Sequence, residues 1–408
     1  YIQRAITPIL KQRVSTSKCM LLVGARQVGK STLIKHEFED FNRANFDDRL
    51  TRMQAKEEPK LFFLNNPKPL FIDEVQKESS ILEDIKQIVD ESDERGMFIL
   101  SGSQKLELMK GMSESLAGRV SISELTGLSM REIYGVKFNR HFIQTDAYIK
   151  EREKEIVKYD NIWEIIHKGS YPELYDIDRD WQEYYSSYVA TYLERDINEL
   201  VAADGITFTK FLTAVAARTG ELLNYSNIAG DVGVSEPTIK NWISILERTG
   251  IVYLLQPYSA SALKRAIKTP KLYFRDTGLA CYLTRWLTAD TLKCSAVAGN
   301  MFETFVVSEI LKSYSNEGID YRFNIFYYRG KDKNASGENE IDLVIEEDGV
   351  LYPVEIKMSG NPKASMGAKN QVLDKVSDKK RGLGVILCLI DKKTYLRENL
   401  VALPIEFI

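Results

Sequence analysis

Short apolar runs alternate with a helix-permissive segment in the first third of the chain. The runs CMLLVG, PLFIDEV and MFILSGS occupy residues 19–24, 69–75 and 97–103, and each has the length and composition of a buried strand. STLIKHEF follows the first run and is compatible with a helix. This order predicts an open α/β sheet.

From about residue 145 the apolar spacing becomes helical. Residues 150–169 and 180–200 carry apolar side chains at intervals of three and four among many charged ones, which predicts helices with one packed face. Residues 220–258 then predict a helix, a short turn, a second helix and a strand. This order is typical of a helix-turn-helix unit, and the strand indicates its winged form.

Polar residues and glycine mark the ends of these last two helices. Ser226 and Ser235 are suitable N-caps, and Pro237 fits the first turn of the second helix. Gly250 can end that helix. These residues predict where both helices begin and where the second helix ends.

Composition and charge exclude several classes of protein. The 408 residues are 44% hydrophobic and 28% charged, which predicts several folded domains. The formal net charge is -3, so any affinity for nucleic acid must come from local basic surfaces. The four cysteines and three histidines are widely separated, which indicates neither a disulfide framework nor a zinc site. We expect a cytoplasmic protein with no leader at Tyr1, no membrane span and no membrane partner.

The loop GARQVGKST matches the pattern G-x-x-x-x-G-K-[ST] between the first predicted strand and its helix. Gly24 and Gly29 allow backbone N–H groups to close around phosphate oxygens. Lys30 supplies a cation for the β and γ phosphates, and Ser31 supplies a hydroxyl for magnesium. The loop predicts ATP and Mg²⁺ as cofactors. The predicted nucleotide-binding residues are Gly24, Ala25, Arg26, Gln27, Val28, Gly29, Lys30, Ser31 and Thr32.

Two carboxylates follow the second apolar run, at the end of a strand where ligands bind in open α/β sheets. We expect Asp73 to hold the magnesium ion. Glu74 would orient and polarise the attacking water. A solvated acidic pair at a strand end is the alternative.

Three further polar residues are candidates for ATP hydrolysis. Ser101 and Ser103 end the third apolar run and can sense the γ-phosphate, while Arg119 in SLAGRV can neutralise transition-state charge. An arginine that acts across subunits requires a homo-oligomer. Ordinary surface polarity is an equally good explanation of Ser103 and Arg119.

The strand and loop, followed by LFIDEV, ILSGS and LAGRV, resemble a family of prokaryotic AAA-type ATPases. In that family the ATPase is followed by a C-terminal domain of unknown function, and the resemblance extends over nearly the whole chain. It implies ATP binding and hydrolysis. The segment TYLERDINEL, with Arg195 and Asp196, also recurs in the family, and a salt bridge is its favoured explanation.

From residue 297 the pattern predicts a mixed α/β domain with an acidic site. Asp342, Glu355 and Lys357 lie on two strands joined by the turn EEDG, so their side chains can converge. Glu303 lies on the helix that precedes these strands. The arrangement therefore brings three carboxylates and one lysine toward one place.

This arrangement resembles the PD-(D/E)xK nuclease fold. Glu303, Asp342 and Glu355 would bind magnesium, and Lys357 would position or activate a water that attacks a phosphodiester. The sequence departs from the family by having IDLV where a Pro-Asp pair is expected. Gln371, in the following helix, can complete the site. A chance acidic hairpin and a preserved fold without cleavage are the alternatives.

The second helix of the predicted helix-turn-helix would present Thr238, Lys240, Asn241 and Ser244 to a DNA major groove. One lysine gives only a weakly basic surface, and winged helices also dock proteins. The better candidates for phosphate contacts are five basic residues of the next segment: Lys264, Arg265, Lys268, Lys271 and Arg275.

Together these patterns predict an α/β fold class in four parts. The parts are an AAA-type P-loop NTPase core (1–140), a helical connector or lid (141–204), a winged helix-turn-helix region (205–290) and a restriction-endonuclease-like α/β domain (291–408). The expected partners are ATP, DNA and further copies of the chain. One interpretation is an ATPase-coupled DNA-processing enzyme. The other is an ATP-switched DNA-binding or protein-interaction factor that does not cut.

Overall fold

The computed structural model describes residues 1–102, 116–197, 204–259, 269–331 and 338–408, with the side chains of 194–197, 331 and 338 outside that description. Several residues singled out in the sequence lie outside the described part: Ser103, Lys264, Arg265, Lys268 and the side chains of Arg195 and Asp196.

Five strands of the first third form a parallel sheet in the spatial order β2-β3-β4-β1-β5. They are β1 Cys19–Val23, β2 Asn42–Asn45, β3 Leu70–Asp73, β4 Phe98–Gly102 and β5 Val120–Glu124. Strands β1, β3 and β4 are buried throughout, which explains why they appear as continuous apolar runs in the sequence. The predicted α/β sheet is confirmed.

The carboxyl ends of these strands share one edge of the sheet. Val23, the last residue of β1, pairs with Gly102 on β4 and Glu124 on β5. The loops that follow β1 and β3 therefore meet at this edge. The helices of this part are Thr7–Thr16, Lys30–Glu37, Arg49–Glu57, Pro59–Asn65 and Ile81–Glu91, with a 3₁₀ turn at Val75–Glu78.

The middle of the chain is helical, as its apolar spacing predicted. Its helices are Met130–Ile133, Asp146–Arg152, Ile162–Lys168, Glu173–Asp176 and Trp181–Tyr188, the last continuing as a π-helix over Val189–Ile197; a 3₁₀ turn covers Glu153–Glu155. Buried Asp276 fixes these helices to the next unit. Its carboxylate accepts hydrogen bonds from the backbone N–H of Ser170 (2.6 Å) and the hydroxyl of Tyr185 (2.7 Å).

The residues described next, 204–259 and 269–288, form four helices and a small antiparallel sheet. The helices are Gly205–Ala216, Tyr225–Val232, Glu236–Arg248 and Thr277–Leu283; the strands are β6 Glu221–Leu222, β7 Val252–Leu255 and β8 Lys271–Phe274, in the order β6-β8-β7. Ser235 caps its helix as predicted, accepting a 3.3 Å hydrogen bond from the N–H of Thr238. The prediction for Ser226 is wrong, because Asn224 caps the preceding helix through the N–H of Asn227 (3.0 Å). The winged helix-turn-helix assignment stays a prediction.

The last part contains a mixed sheet of seven strands in the order β14-β15-β13-β11-β10-β9, with β12 paired to β11. These are β9 Ile325–Lys331, β10 Glu338–Glu347, β11 Val350–Lys357, β12 Lys380–Arg381, β13 Gly384–Cys388, β14 Thr394–Arg397 and β15 Leu400–Pro404. The helices are Ala289–Lys293 and Ala298–Asn316, with 3₁₀ segments Tyr321–Phe323, Ala364–Lys375 and Ile405–Phe407. None of the described helices combines the length and the apolar character that a membrane crossing requires.

His141 ties the segment after the first sheet to the C-terminal sheet. Its ring contacts Glu317 through Nδ1 and Glu347 through Nε2, the latter at 3.0 Å. Burial lowers the pKa of His141, but the hydrogen bonds to the two carboxylates outweigh burial and raise that pKa to about 9. The imidazolium is therefore the form that stabilises this junction.

Raising the pH should weaken the junction. A histidine whose folded-state pKa exceeds its unfolded value stabilises the fold below about pH 6.5 and loses that contribution as the pH rises through about 9. We expect the free energy of unfolding, measured with urea, to fall by roughly 3 kcal/mol over that window because of His141. His141→Gln should lack this fall. An identical pH dependence in both proteins would contradict the assignment.

Candidate functional site

The loop between β1 and the helix Lys30–Glu37 lies at the carboxyl edge of the parallel sheet. Gln27 and Gly29 have positive φ angles of 64° and 93°. Glycine adopts such angles without steric cost, which accounts for Gly29. Gly24 is required for a different reason, because a Cβ atom there would lie 2.3 Å from the carbonyl oxygen of Leu125. The backbone angle of Gly29 and the close packing of Gly24 therefore explain why glycine occupies both positions.

Lys30 is the cation of this loop and is only 6% exposed. Its Nζ donates hydrogen bonds to the carbonyl oxygens of Gly24 and Ala25, both at 3.0 Å. Burial lowers the pKa of Lys30 to about 8, although Glu74 and Asp73 oppose that shift. Two neutral carbonyls compensate an ammonium poorly, and phosphate oxygens would be stronger acceptors. The loop is therefore arranged to accept an anion.

Asp73 and Ser101 meet on neighbouring strands beside the loop. Asp73 ends β3 and accepts a hydrogen bond from the hydroxyl of Ser101 on β4. Both side chains are buried. The carboxylate of Asp73 and the hydroxyl of Ser31 are the hard oxygen donors that magnesium takes beside a nucleotide, so these residues fit the predicted ion.

Glu74 leaves the strand with a left-handed backbone, φ 54°. Such a conformation is uncommon outside glycine and concentrates at functional sites. Its carboxylate accepts a hydrogen bond from the side-chain amide of Gln76. The carboxylates of Asp73 and Glu74 thus have different partners, which is consistent with different roles.

A cavity of about 390 Å³ opens over the loop. Seven predicted residues line it: Arg26, Gln27, Gly29, Lys30, Ser31, Thr32 and Glu74. The other walls are Tyr1, Ile2, Arg4, Leu128, Pro172, Glu173 and Asp176. Val28 is instead buried in the core. Ala25 faces Gly250, because a Cβ atom added at Gly250 would lie 3.7 Å from the Cβ atom of Ala25. The side chains of Ala25 and Val28 therefore do not line this cavity.

Arg4 is a wall residue that sequence reasoning missed. Its guanidinium is buried and donates to the carbonyl oxygens of Val28 (2.8 Å) and Thr126 (2.7 Å). It also forms an ion pair with Glu132 at 2.9 Å. Arg4 therefore joins the nucleotide loop to the segment after β5. No motif surrounds it in the sequence, so only the tertiary contacts identify it.

Arg119 lies away from the cavity in its own chain. It directly precedes β5, whose first residue pairs with Cys19 at the amino end of β1. The loop follows the other end of β1, about 13 Å along the strand. Arg119 is instead paired with Asp90, with one N···O distance of 3.0 Å. Any action of Arg119 on a nucleotide requires a second copy of the chain.

Asp342, Glu355 and Lys357 converge on β10 and β11, as the alternation of β11 predicted. Nζ of Lys357 lies 2.7 Å from Oδ2 of Asp342 and 2.9 Å from Oε2 of Glu355. Burial raises the pKa of Glu355 to about 8, and Asp342 acts in the same direction. Oε1 of Glu355 is buried and has no hydrogen-bond partner among the described residues. This oxygen is available to a ligand that enters the site.

Glu303 is engaged elsewhere, by two residues of β8. Its Oε1 accepts hydrogen bonds from the hydroxyl of Tyr273 (2.6 Å) and from Nζ of Lys271 (3.2 Å). The same ammonium lies 2.7 Å from Oε1 of Glu340. Burial raises the pKa of Glu303, and the charge of Asp342 adds to that shift, so the two groups are electrostatically close.

The predicted magnesium set is only partly assembled. No three carboxylate, imidazole or thiolate side chains within the described ranges are placed to hold a metal ion together. Asp342 and Glu355 fit one magnesium ion, which typically binds through one or two carboxylates and the substrate's phosphates. Glu303 does not join them in this arrangement. Gln371 is exposed on its 3₁₀ segment.

Two predicted DNA contacts have internal partners instead. Lys271 is 4% exposed, between Glu303 and Glu340. Arg275 donates to Glu124 (2.9 Å) and to the hydroxyl of Tyr321 (2.6 Å). Neither side chain is placed to contact a DNA phosphate, because each sits in an ion pair between units.

The second helix of the predicted helix-turn-helix keeps a polar outer face. Lys240 and Asn241 are exposed, while Thr238 and Ser244 are partly buried. The ammonium of Lys240 lies 2.7 Å from a carboxylate oxygen of Glu236 one turn earlier. Its charge is thus already compensated, which leaves this face weakly attractive to phosphates.

Three family models match successive parts of the chain. Residues 16–134 match the model described as an AAA domain, and residues 159–290 and 298–408 match two models described as domains of unknown function, DUF8612 and DUF4143. The last two descriptions state no activity. Only the first part is therefore linked to a described kind of domain.

Two curated relatives match most of the chain. They are the uncharacterized proteins Mb2031c of Mycobacterium bovis and Rv2008c of Mycobacterium tuberculosis, each 26% identical over 375 residues, covering 90% of this chain and 76% of the relative. Among solved structures, RuvB of Thermotoga maritima is 16% identical with a TM-score of 0.28, covering 61% of this chain and 85% of RuvB. With the loop geometry and the 16–134 match, the chain carries an AAA-type ATPase domain ahead of a C-terminal DUF4143 domain.

Proposed function

We propose that this protein binds and hydrolyses ATP and uses the ATP cycle to act on nucleic acid through its C-terminal half. The observation that carries the proposal is the meeting of Lys30, Asp73 and Glu74 at one edge of the parallel sheet, beside a cavity of about 390 Å³. Phosphate release from ATP, measured with and without DNA, tests both parts.

Each of these residues at the carboxyl edge of the sheet would have a chemical role in hydrolysis. Lys30 exchanges its two carbonyl acceptors for phosphate oxygens. Ser31 and Asp73 hold magnesium, which when bound neutralises charge on the phosphates. Glu74 exchanges its bond with Gln76 for the attacking water and takes up that water's proton.

Contacts between the units provide a route from nucleotide to C-terminal half. Ala25 of the loop lies against Gly250, directly after the second helix of the predicted helix-turn-helix. Lys312 of the helix Ala298–Asn316 donates to the carbonyl oxygen of Leu128, a wall of the cavity, at 2.9 Å. The helix that holds Lys312 also carries Glu303. A change in the conformation of the loop would therefore alter the position of the helix that carries Glu303.

For the nucleic-acid step, Asp342 and Glu355 would hold one divalent ion and Lys357 would position the attacking water. Cleavage of linear, single-stranded and branched DNA should require Mg²⁺ or Mn²⁺. We expect it to fall at least about 100-fold in Asp342→Ala and in Lys357→Ala, with ATP hydrolysis retained. Cleavage that persists in both variants would place the activity elsewhere.

A second function is favoured by the charges of the C-terminal half. The ammonium of Lys357 already lies between the two carboxylates, and Lys240 is already paired. Both observations favour an ATP-switched protein that binds DNA or another protein without cutting. Intact ATP hydrolysis with no cleavage of any DNA by wild type would select this function.

For the ATPase we further propose that Arg119 acts in a neighbouring copy of the chain. Arg119 directly precedes β5, the outermost strand of the sheet, and it pairs with the exposed carboxylate of Asp90. Both features support this arrangement. Mixing Arg119→Ala with Glu74→Gln subunits should restore part of the hydrolysis that each lacks alone. A demonstrated mixed assembly without restoration would count against action across subunits.

A further inference from the structure

The C-terminal centre consists of two groups of side chains, each with two carboxylates and one lysine, and Asp342 of one group follows Glu340 of the other by two residues on β10. The ammonium of Lys357 contacts Asp342 and Glu355 at 2.7 and 2.9 Å. The ammonium of Lys271 contacts Glu340 and Glu303 at 2.7 and 3.2 Å. Each pair of carboxylates thus shares one built-in cation.

The two lysines have different origins and different exposure. Lys357 lies on β11 beside its carboxylates, and its side chain is 35% exposed. Lys271 comes from β8, in the sheet of the predicted helix-turn-helix, and its side chain is 5% exposed. Tyr273, two residues along the same strand and so on the same face, holds Glu303 as well. Two contacts from β8 therefore fix Glu303 against Lys271.

We propose that the ammonium of Lys271 is a resident cation of this centre, held between Glu303 and Glu340 in place of a second divalent ion. The centre then takes a single Mg²⁺ or Mn²⁺, at Asp342 and Glu355. This inference rests on the proposed binding of a divalent ion by the C-terminal carboxylates.

The physical reason is charge balance in a buried place. Two-metal sites hold ions roughly 4 Å apart, and they need enough carboxylates to offset four positive charges. Here one pair of carboxylates is already compensated by a buried ammonium that cannot move away without leaving Glu303 uncompensated. A divalent ion beside Lys271 would meet repulsion, while one at Asp342 and Glu355 displaces only the more exposed Lys357.

Binding of Mn²⁺ to the full-length chain without nucleotide tests the inference directly. Wild type should bind one Mn²⁺ that Asp342→Asn loses, as counted by the electron spin resonance of unbound Mn²⁺. Lys271→Met removes the resident cation and should bind Mn²⁺ about tenfold more tightly or take a second ion. Lys68→Met is the matched control, because it also removes a lysine paired with a glutamate, here Glu94 at 2.8 Å, but just before β3 of the parallel sheet rather than in the C-terminal half.

Glu340→Gln keeps the inference testable if Lys271→Met does not fold. Glu340 is one-third exposed, and its replacement leaves the charge of Lys271 less compensated. Mn²⁺ should then bind about threefold or more weakly. An unchanged affinity in this variant would overturn the inference.

The remaining outcomes separate this inference from the proposed function. Two Mn²⁺ ions lost together in Asp342→Asn, or unchanged affinity in folded Lys271→Met, would overturn the role of Lys271 alone. Binding by Lys271→Met but not by wild type would overturn the single divalent ion at Asp342 and Glu355, although Lys271 would still exclude a cation. Absence of Mn²⁺ binding in both would overturn the inference and the C-terminal metal site, while ATP hydrolysis would stand on its own measurements.

Discussion

Glu74→Gln is expected to lower the rate of ATP hydrolysis at least about 100-fold while ATP binding stays within a few-fold of wild type. Glutamine keeps the size of the side chain and its place in the cavity wall, but it cannot take a proton from water. The left-handed backbone at this position should tolerate the exchange, since glutamine differs only at the end of the side chain. Steady-state phosphate release and equilibrium ATP binding on the same preparations measure the two effects.

Glu173→Gln is the matched control for this prediction. Glu173 lines the same cavity and loses the same charge, but it pairs with Arg179 and belongs to the helix Glu173–Asp176 rather than to a strand end. Its rate of hydrolysis should stay within a few-fold of wild type. Full turnover by Glu74→Gln, or equal losses in both variants, would remove Glu74 from the role of water activator.

Lys30→Ala is expected to weaken ATP binding by at least about 100-fold. The variant removes the buried ammonium that donates to the carbonyl oxygens of Gly24 and Ala25. Methods that detect ATP directly, such as calorimetry or a fluorescent analogue, measure the loss. Lys35→Ala changes an exposed lysine of the same helix and should leave affinity unchanged. Equal affinity of Lys30→Ala and wild type would contradict the assignment of the loop.

The pH dependence of ATP binding gives a second measure of Lys30. Burial lowers the pKa of Lys30 to about 8, so above that pH the unliganded loop holds a neutral amine. Phosphates favour the ammonium, and binding must then take up a proton. The dissociation constant should rise up to about tenfold per pH unit above pH 8, and this rise should be absent in Lys30→Ala.

Much of the nucleotide site could be predicted from the sequence because its parts are local. Gly24, Gly29 and Lys30 lie within seven residues of one another, and the backbone of a single turn fixes their relation. Asp73 ends β3, whose buried run was evident in the sequence, and Glu74 comes directly after it. Parallel strands align their carboxyl ends, so the loop and the carboxylates had to share an edge once the sheet formed.

The C-terminal centre was less predictable because some of its ion pairs join side chains from different parts of the chain. Asp342, Glu355 and Lys357 converge through one hairpin, which the sequence pattern specifies. Lys271 and Tyr273 approach Glu303 from another sheet, about thirty residues earlier in the chain. In the sequence Lys271 belongs to a basic run, and nothing local separates a lysine that meets DNA from one that neutralises a buried glutamate.

The amino-acid sequence by itself determined the α/β sheet, the phosphate loop, the strand-end acids and the hairpin with its Glu-x-Lys pair. Each depends on contacts between near neighbours, or on a periodicity that burial imposes on a strand or helix. Only the tertiary structure decided that Arg4 holds the loop, that Arg119 lies at the amino end of β5 away from the cavity, and that Lys271 pairs with Glu303. Those relations join distant segments, and the partner of a buried charge depends on which elements pack together.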